Sequence, residues 1–308
     1  MWLNIFNREP KAFREGWLPA SGGHEIYFRE FGNPKGTPVL SFHGGPGGSV
    51  RSKYAKLFNL KKYHFIQFDQ RGCGNSVAIN AFKDNETQNL LIDAKRLLDS
   101  IGIKRKVIVH GASWGSTLAL LFAERYPDKV SKIAISSVFL ARAEDVKWVS
   151  HESERFYPDI WDELRIQHKS KNVYQNCYNL LFSNNKRDNL KALTYLGSYE
   201  HMLGQLAPKF IDRKELDENE LKSARVAFHY DKNKYFLKPN QILENIDKIK
   251  HIPTLIVHNR LDFCCPVKQA WDLHKELPKS KIIINPGYEH SSAQLLKVFK
   301  QQLQSFLS

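Results

Sequence analysis

The segment Gly111-Ala112-Ser113-Trp114-Gly115 constrains the fold of this chain more than any other. It follows the β-branched run Val107-Ile108-Val109 and precedes the helix-like stretch 116–124, so a serine stands at the turn between a strand and a helix. Glycines two residues on either side let the backbone turn tightly and leave the serine hydroxyl exposed. A G-x-S-x-G pattern alone occurs by chance, but in this context it indicates a nucleophile elbow.

Short apolar runs alternate with helical segments along most of the chain. Between two of these runs, residues 90–98 keep a helical period of leucine and alanine, and Gly102 is predicted to end that helix. Uninterrupted apolar strands that alternate with helices are typical of a parallel sheet covered on both faces. The sequence therefore predicts an α/β fold with a mostly parallel, doubly wound sheet. The predicted strands are Val39-Leu40-Ser41-Phe42, Phe65-Ile66-Gln67-Phe68, Val107-Ile108-Val109, Ile133-Ala134-Ile135, Leu255-Ile256-Val257 and Ile282-Ile283-Ile284.

The alternation stops between about residues 140 and 240, where the chain is charged and aromatic without a clear strand pattern. We interpret this region as a helical cap inserted over the carboxyl edge of the sheet, where open α/β sheets bind ligands. The predicted division is a core of residues 1–140 and 241–308 and a cap of residues 141–240.

Composition narrows the class of protein. Hydrophobic residues make up 42% of the 308, which is ordinary for a soluble globular protein, and no stretch approaches the roughly 20 apolar residues of a membrane span. Charged residues interrupt the segment 1–17, so no signal core is expected there.

The four cysteines lack metal-site spacing, and the adjacent pair Cys264-Cys265 makes a poor structural disulfide. We expect reduced thiols, a cytoplasmic location, no membrane partner, and no metal or cofactor.

The formal net charge of +14 raises the possibility of nucleic-acid binding. However, lysine and arginine are spread along the chain and are not concentrated in one arm, and no zinc-finger, helix-turn-helix or RNP-like pattern accompanies them. A solvated basic surface is the favoured interpretation, with no nucleic-acid partner.

Two later residues are suited to activate Ser113, because a serine hydroxyl needs a base in hydrogen-bond reach and a third group to orient that base. Asp262 follows one predicted strand, and His290 follows the last. The order Ser113, Asp262, His290 is that of α/β hydrolases. Four other histidines fit this position less well: His110, His201, His229 and His258.

Acyl transfer also needs backbone N–H groups that stabilise the developing oxyanion. One should belong to Trp114, directly after the nucleophile, and another to the glycine-rich loop His43-Gly44-Gly45-Pro46-Gly47-Gly48. That loop is a poor phosphate cradle because it lacks the Gly-Lys-Ser/Thr ending of a P-loop.

Together these segments resemble the prolyl aminopeptidases (proline iminopeptidases) of the α/β-hydrolase fold, from about Gly16 to the C-terminus. The glycine-rich loop is similar to that family's HGGPGG, and the elbow to its GGSWGS with one glycine changed to Ala112. Three further segments resemble family motifs: Asp69-Gln70-Arg71-Gly72-Cys73-Gly74-Asn75-Ser76, Phe156-Tyr157-Pro158-Asp159-Ile160-Trp161, and Cys265-Pro266 with Ala270-Trp271.

The resemblance implies a serine hydrolase that releases N-terminal proline from small peptides without a metal. It implies Ser113 as nucleophile, His290 as base and Asp262 as the residue that orients it. The other implied site residues are the oxyanion donors Gly45 and Trp114 and the substrate-binding residues Gly44, Phe139, Tyr199 and Glu200. Asp69 is expected to brace a loop, and Cys73 to lie near the site without taking part in the chemistry.

Two departures from the family pattern fall in the substrate pocket. Ala227 stands where the family has a second amine-binding glutamate, and Ser150 stands where a tyrosine of the proline pocket is expected, which should widen the pocket. Asp231 and Glu289 are alternative sources of the missing carboxylate, although Glu289 is more simply explained as solvent-exposed. A related hydrolase of esters or other small amides, and a catalytically silent binding protein, remain alternative functions.

Overall fold

A sheet of nine strands runs through the centre of the computed structural model, which describes residues 9–205, 209–290 and 292–308. Its strand order is β1-β2-β4-β3-β6-β7-β8-β9, with β5 paired to β2. All pairs from β4 to β9 are parallel. The predicted α/β-hydrolase class, with a mostly parallel sheet, is confirmed. The strands are β1 (Arg14–Ala20), β2 (His24–Gly32), β3 (Thr37–Phe42), β4 (Tyr63–Phe68), β5 (Val77–Ala78), β6 (Val107–Ser113), β7 (Val130–Val138), β8 (Thr254–Asn259) and β9 (Ser280–Asn285).

The sheet is covered on both faces, which explains its continuous apolar strands. In β3, Leu40 packs into one hydrophobic cluster and its neighbour Val39 into another. In β6, Val109 packs into the first of these clusters and its neighbour Ile108 into the second. Because successive side chains of a strand point to opposite faces, a strand that is buried on both faces favours apolar residues at most positions.

The first two strands were absent from the sequence-based prediction. β1 and β2 form an antiparallel pair, and β2 also pairs antiparallel with β4. β1 carries charged residues and stays partly exposed along its length, so it lacks the apolar run by which the inner strands were recognised. Edge strands with one solvated face are recognisable only by weak alternation.

Helices connect the strands and carry the cap. The predicted helix over residues 90–98 is α1, and Gly102 follows it with a φ of +77°, as expected for the residue that ends a helix. The helices are α1 (Thr87–Ser100), α2 (Trp114–Arg125), α3 (Ala143–Ser150), α4 (Pro158–His168), α5 (Val173–Leu181), α6 (Lys186–Gly204), α7 (Glu218–Lys232), α8 (Gln241–Glu244), α9 (Lys268–Glu276) and α10 (Ala293–Leu307).

Helices α3 to α7 lie between β7 and β8 and have a hydrophobic cluster of their own. Helix α7 joins this cluster to the sheet, because Phe228 packs among the cap residues while Val226 and Tyr230 pack in the main core. The insertion is therefore anchored to the sheet by apolar packing. Among the described residues no helix is both long enough and apolar enough to cross a bilayer.

Candidate active site

Ser113 is the last residue of β6, and α2 begins at the next residue. The serine has φ 55° and ψ −130°, a conformation that residues with a side chain rarely adopt. Such backbone strain persists only where the surrounding structure holds it in place, and it clusters at functional sites. The strand–turn–helix context predicted from the sequence is thus present, with the serine at its apex.

The two glycines of this elbow are required by close backbone approach. A Cβ on Gly111 would collide with the carbonyl group of Gly115, and a Cβ on Gly115 would collide with the carbonyl oxygen of Phe42 at the end of β3. The start of α2 therefore packs directly against the carboxyl edge of the sheet. A backbone atom cannot move aside as a flexible side chain can.

We expect Gly115→Ala to lower the free energy of unfolding by about 1–3 kcal/mol, the usual cost of overpacking a rigid site. Urea denaturation monitored by circular dichroism measures this change. Gly204→Ala at the end of α6 is the matched control, because a Cβ there meets no atom within 4 Å. Equal stability of the two variants would show that the elbow does not need its close contact.

His290 and Asp262 lie together, as the sequence predicted. The Nδ1 atom of His290 is 2.9 Å from Oδ1 and 2.8 Å from Oδ2 of Asp262. An ionised carboxylate only accepts hydrogen bonds, so Nδ1 carries a proton and donates it to Asp262. This arrangement leaves Nε2 of His290 as the free nitrogen for proton transfer.

The environment of Asp262 keeps it ionised. Burial favours the neutral acid, but the His290 ring, the His258 ring and the backbone N–H of Cys265 together hold the pKa of Asp262 below its ordinary value. The Cys265 N–H donates to Oδ1 over 2.7 Å. The carboxylate is fully buried within the protein and its charge is compensated on several sides.

His258, which fits the position of the base less well than His290, braces the strands below the site. Its Nδ1 accepts from the Val138 N–H, and its Nε2 donates to the Cys265 carbonyl. Burial lowers the pKa of His258, in keeping with a neutral ring that makes both bonds. The ring connects the ends of β7 and β8 beneath Asp262. Sequence reasoning missed this bracing position, because a histidine inside a strand has no distinctive pattern.

Ser113 and His290 meet at the same edge of the sheet. Ser113 pairs with Val138 across β6 and β7, and the neighbouring Ser137 donates its hydroxyl to the carbonyl oxygen of His290 over 3.2 Å. Within the described part of the chain, the Ser113 hydroxyl makes no hydrogen bond to the His290 ring. Such bonds are often long before substrate binds and tighten in the complex.

The charge of Asp262 also acts on His290. Burial disfavours the charged ring, but the Asp262 carboxylate outweighs this effect and raises the pKa of His290 above its ordinary value. A general base must be neutral before it accepts a proton. Activity that depends on His290 should therefore increase with pH through a range above the pKa of a free histidine.

The predicted oxyanion loop runs beside the elbow. A Cβ placed on Gly44 would lie 3.5 Å from the Cβ of Ser113. Trp114 is the first residue of α2, and the first N–H groups of a helix have no partner within the helix. The residue before Gly45 and the residue Trp114 thus lie beside Ser113, and the role of the Gly45 and Trp114 N–H groups as oxyanion donors stays a prediction.

The segment after β4 holds this loop and the elbow together. Gln70 donates from its backbone to His43 Nε2 and from its side chain to the His43 carbonyl, and its Oε1 accepts the indole N–H of Trp114. Asp69 accepts the backbone N–H groups of Val50 and Asn75. Asp69 thus has the bracing contacts expected from the sequence.

Cys73, in the same segment, is buried, and its thiol donates to the Arg71 carbonyl over 3.3 Å. Burial raises the pKa of Cys73 to about 12, so it stays a thiol at neutral pH. The Gly47 N–H and Lys222 favour the thiolate, but burial and the Asp69 carboxylate outweigh them.

Phe139 follows β7 and is held beside the elbow by two hydrogen bonds to α2. Its N–H donates to the Ser116 hydroxyl, and its carbonyl accepts from the Thr117 hydroxyl. Its ring packs on Tyr235, which also packs on Trp114, with centroids 5.2 Å and 5.4 Å away. An apolar aromatic wall therefore stands next to Ser113.

Tyr199 and Glu200 lie on α6 in the cap. Tyr199 is buried in the cap cluster against Trp161, and its hydroxyl shares a 3.4 Å hydrogen bond with that of Ser153. The Glu200 side chain is exposed, and desolvation and the nearby Glu220 carboxylate raise its pKa, while Arg213 counteracts them.

Cys264, in the loop after β8, packs against both the core cluster and the cap cluster. A hydrogen bond with the Cys265 thiol and the charge of His290 lower the pKa of Cys264, against burial and the carboxylates of Asp262 and Glu200. Both Glu200 and His290 therefore lie within electrostatic reach of one thiol. Cys264, Cys265 and His290 are also a set of described residues close enough to share a metal ion.

Three residues linked to the departures from the family pattern, Asp231, Ser150 and Glu289, lie in different environments. Asp231 is half-buried, and desolvation raises its pKa to about 6, while the Tyr235 hydroxyl 3.5 Å away counteracts this. Ser150 is buried and donates its hydroxyl to the Val146 carbonyl within α3. Glu289 is partly exposed. Asp231 thus contacts Tyr235, a member of the aromatic wall. The widening of the pocket at Ser150 stays a prediction.

Comparison with known proteins places this arrangement in a family. A family model described as the alpha/beta hydrolase fold matches residues 37–293. A proline iminopeptidase of Arabidopsis thaliana is 34% identical over 288 residues, which cover 90% of this chain and 76% of that protein. A proline iminopeptidase of Neisseria meningitidis serogroup B is 32% identical over 304 residues, which cover 96% of this chain and 97% of that protein. The chain belongs to the proline iminopeptidase family of α/β hydrolases.

Solved structures agree on the fold. An esterase from Exiguobacterium antarcticum matches with a TM-score of 0.62 and 18% identity. The match covers 96% of this chain and 100% of the esterase chain. An alpha/beta hydrolase enzyme from a deep-sea metagenome library of the Medee basin matches with a TM-score of 0.58 and 19% identity, over 92% and 94% of the two chains. At these identities the likeness concerns the fold alone.

The resemblance to proline iminopeptidases inferred from sequence motifs is therefore confirmed. Several of the segments that carried it surround the candidate site: the loop 43–48, the segment 69–76, the elbow and the turn that contains Cys265. In this member of the family, Gln70 connects the loop 43–48 to the elbow, and Asp262 connects the Cys265 turn to His290.

Proposed function

We propose that this protein is a serine hydrolase that releases N-terminal proline from small peptides. The observation that carries the proposal is the His290–Asp262 pair, with Nδ1 2.8–2.9 Å from both carboxylate oxygens, at the sheet edge that bears the strained Ser113. Membership in the proline iminopeptidase family supports this substrate class.

In the proposed reaction, Ser113 Oγ attacks the carbonyl carbon of the N-terminal residue, and Nε2 of His290 accepts the hydroxyl proton. The N–H groups of Gly45 and Trp114 stabilise the oxyanion of the tetrahedral intermediate. His290 then gives its proton to the leaving amine, which leaves an acyl-enzyme on Ser113. A water molecule, deprotonated by His290, hydrolyses this ester and frees the amino acid. Asp262 keeps the ring oriented and stabilises its charged form throughout.

The proposed substrate pocket combines an apolar wall with negative charge. Phe139, backed by the buried Tyr235, is suited to contact the proline ring, with Gly44 and Tyr199 completing its surroundings. Glu200 is suited to bind the protonated α-amine, because a carboxylate forms charge-assisted hydrogen bonds with an ammonium group.

Asp231 lies one helical turn beyond Ala227 on α7. We propose that it supplies part of the negative charge that the alanine at position 227 does not provide. The contact of Asp231 with the hydroxyl of Tyr235, whose ring packs on Phe139, supports this proposal. An ammonium group bound nearby would favour the ionised form of this carboxyl group.

The proposal includes the division into a core of residues 1–140 and 241–308 and a cap of residues 141–240. It includes turnover without a metal or cofactor, no nucleic-acid or membrane partner, and a cytoplasmic location. All four cysteines are unpaired, which fits a reducing compartment.

The test compares proline arylamide, alanine arylamide and a short p-nitrophenyl ester as substrates of the purified protein. We expect the highest kcat/KM for proline arylamide. Ester turnover without cleavage of either amide would contradict the proposal and favour a related hydrolase of esters.

A change of one charge tests amine recognition. We expect Glu200→Gln to lower kcat/KM for proline arylamide by about 10- to 100-fold, because it removes a charge-assisted contact to the substrate ammonium. The rate for the p-nitrophenyl ester, which has no amine, should change little. Glu218→Gln is the matched control on the exposed side of the cap, where Glu218 contacts Lys186. A loss shared equally by the ester would argue against an amine contact.

A further inference from the structure

Two thiols and an imidazole converge beside the proposed catalytic residues. The Sγ atoms of Cys264 and Cys265 and a ring nitrogen of His290 all lie within 4.8 Å of one another. The two cysteines are adjacent in the loop between β8 and α9, and His290 comes from the loop after β9. Sequence spacing did not reveal this group, because its third member is 25 residues away and is brought in by the pairing of β8 with β9.

The chemistry of this group suits a thiophilic divalent metal. Zinc binds cysteine sulfur at about 2.3 Å and histidine nitrogen at about 2.0 Å, so ligand atoms of one tetrahedral ion are separated by roughly 3.5–3.8 Å. The three atoms are within about 1 Å of that spacing, which rotation about the cysteine χ1 angles can supply. Two sulfurs and one nitrogen exclude calcium and magnesium, which prefer oxygen ligands.

The orientation of His290 is already that of a metal ligand. Its Nδ1 donates to Asp262, which leaves the lone pair of Nε2 available. A histidine that ligates a metal typically donates its other ring N–H to a carboxylate in this way. Cys264 is partly exposed at the contact between core and cap, so an ion can reach the group from solvent.

We propose that Cys264, Cys265 and Nε2 of His290 form an inhibitory site for zinc or a similar thiophilic divalent ion, with a water molecule as fourth ligand. Binding forms two metal–sulfur bonds and one metal–nitrogen bond, and the two thiol protons pass to solvent without any redox change. The occupied Nε2 can no longer accept the Ser113 proton. The metal and the hydrolytic reaction therefore exclude each other, and a chelator restores activity.

Cobalt(II) provides a test that needs no turnover. Titrating the wild-type protein with cobalt should produce the thiolate-to-cobalt charge-transfer absorption, saturating at one ion per chain. Cys264→Ser and Cys264→Ala should each abolish this absorption. Cys177→Ser is the matched control and should retain it, because Cys177 is buried in the separate cap cluster. Absence of the absorption in the wild type, or its persistence in both Cys264 variants, would overturn the proposal.

A second arm uses zinc and the hydrolytic rate, with each protein compared to its own rate without metal. Zinc should inhibit the wild type and Cys177→Ser at equal concentrations, EDTA should reverse the inhibition, and magnesium should have no effect. Cys264→Ser should need at least about 10-fold more zinc, since it loses one of three ligands. Equal zinc sensitivity of wild type and Cys264→Ser would contradict the site. Failure of the proposed hydrolytic function would leave the cobalt result unchanged, so the two failures are distinguishable.

Discussion

Ser113→Ala is expected to lower kcat for proline arylamide by about 10⁴- to 10⁶-fold, the effect of removing the nucleophile from a group of catalytic residues that act as a unit. Binding of the substrate should change little, because the hydroxyl contributes to the chemical step and not to recognition. The strain at Ser113 is a property of the backbone, so the variant should fold as the wild type does. Steady-state and single-turnover kinetics measure the loss.

The matched control for this prediction is Ser305→Ala, an exposed serine near the end of α10. It should have the activity of the wild type. A Ser113→Ala variant that retained more than about one hundredth of the wild-type kcat would show that another group carries the nucleophilic step.

Asp262→Asn is expected to lower kcat by about 10³- to 10⁴-fold, because the amide no longer fixes the ring of His290 in the orientation and tautomer that expose Nε2. The variant should also shift the pH profile. Asp262 raises the pKa of His290, so its loss should lower that pKa, and the acidic limb of kcat/KM should move to lower pH. The profile of kcat/KM against pH measures both effects.

Asp247→Asn is a suitable control, since Asp247 is exposed on the surface and contacts only Lys250 among the described residues. Its rate and pH profile should match those of the wild type. A fall in rate for Asp262→Asn without any displacement of the acidic limb would mean that the titrating group is not the His290 ring.

The inner strands of the sheet were predictable from the sequence because burial on both faces favours mostly apolar runs. Val39 and Leu40 pack into clusters on opposite sides, and the run that contains them was recognised as a strand. β1 was not recognised, since its solvated face carries charged residues and its partner β2 determines its position. Local pattern predicts an element only where packing makes the pattern strong.

The positions of Asp262 and His290 were predictable because parallel strands bring their carboxyl ends to one edge. The bracing by His258 and the convergence of Cys264 with His290 could not be predicted from the sequence. Both depend on how the loops after β8 and β9 close over that edge. Glu200 was proposed from the family resemblance. That its pKa is raised follows only from the folded cap, which brings Glu220 near it.

Labelling with a fluorophosphonate, followed by peptide mass mapping, tests the central claim most directly. The reagent reacts with a serine that a neighbouring base activates, and it forms a stable adduct on that residue. The account predicts one adduct per chain, on the peptide that contains Ser113, and greatly slowed labelling of Asp262→Asn. An unlabelled Ser113 in protein that hydrolyses proline arylamide, or an adduct on a different serine, would contradict it.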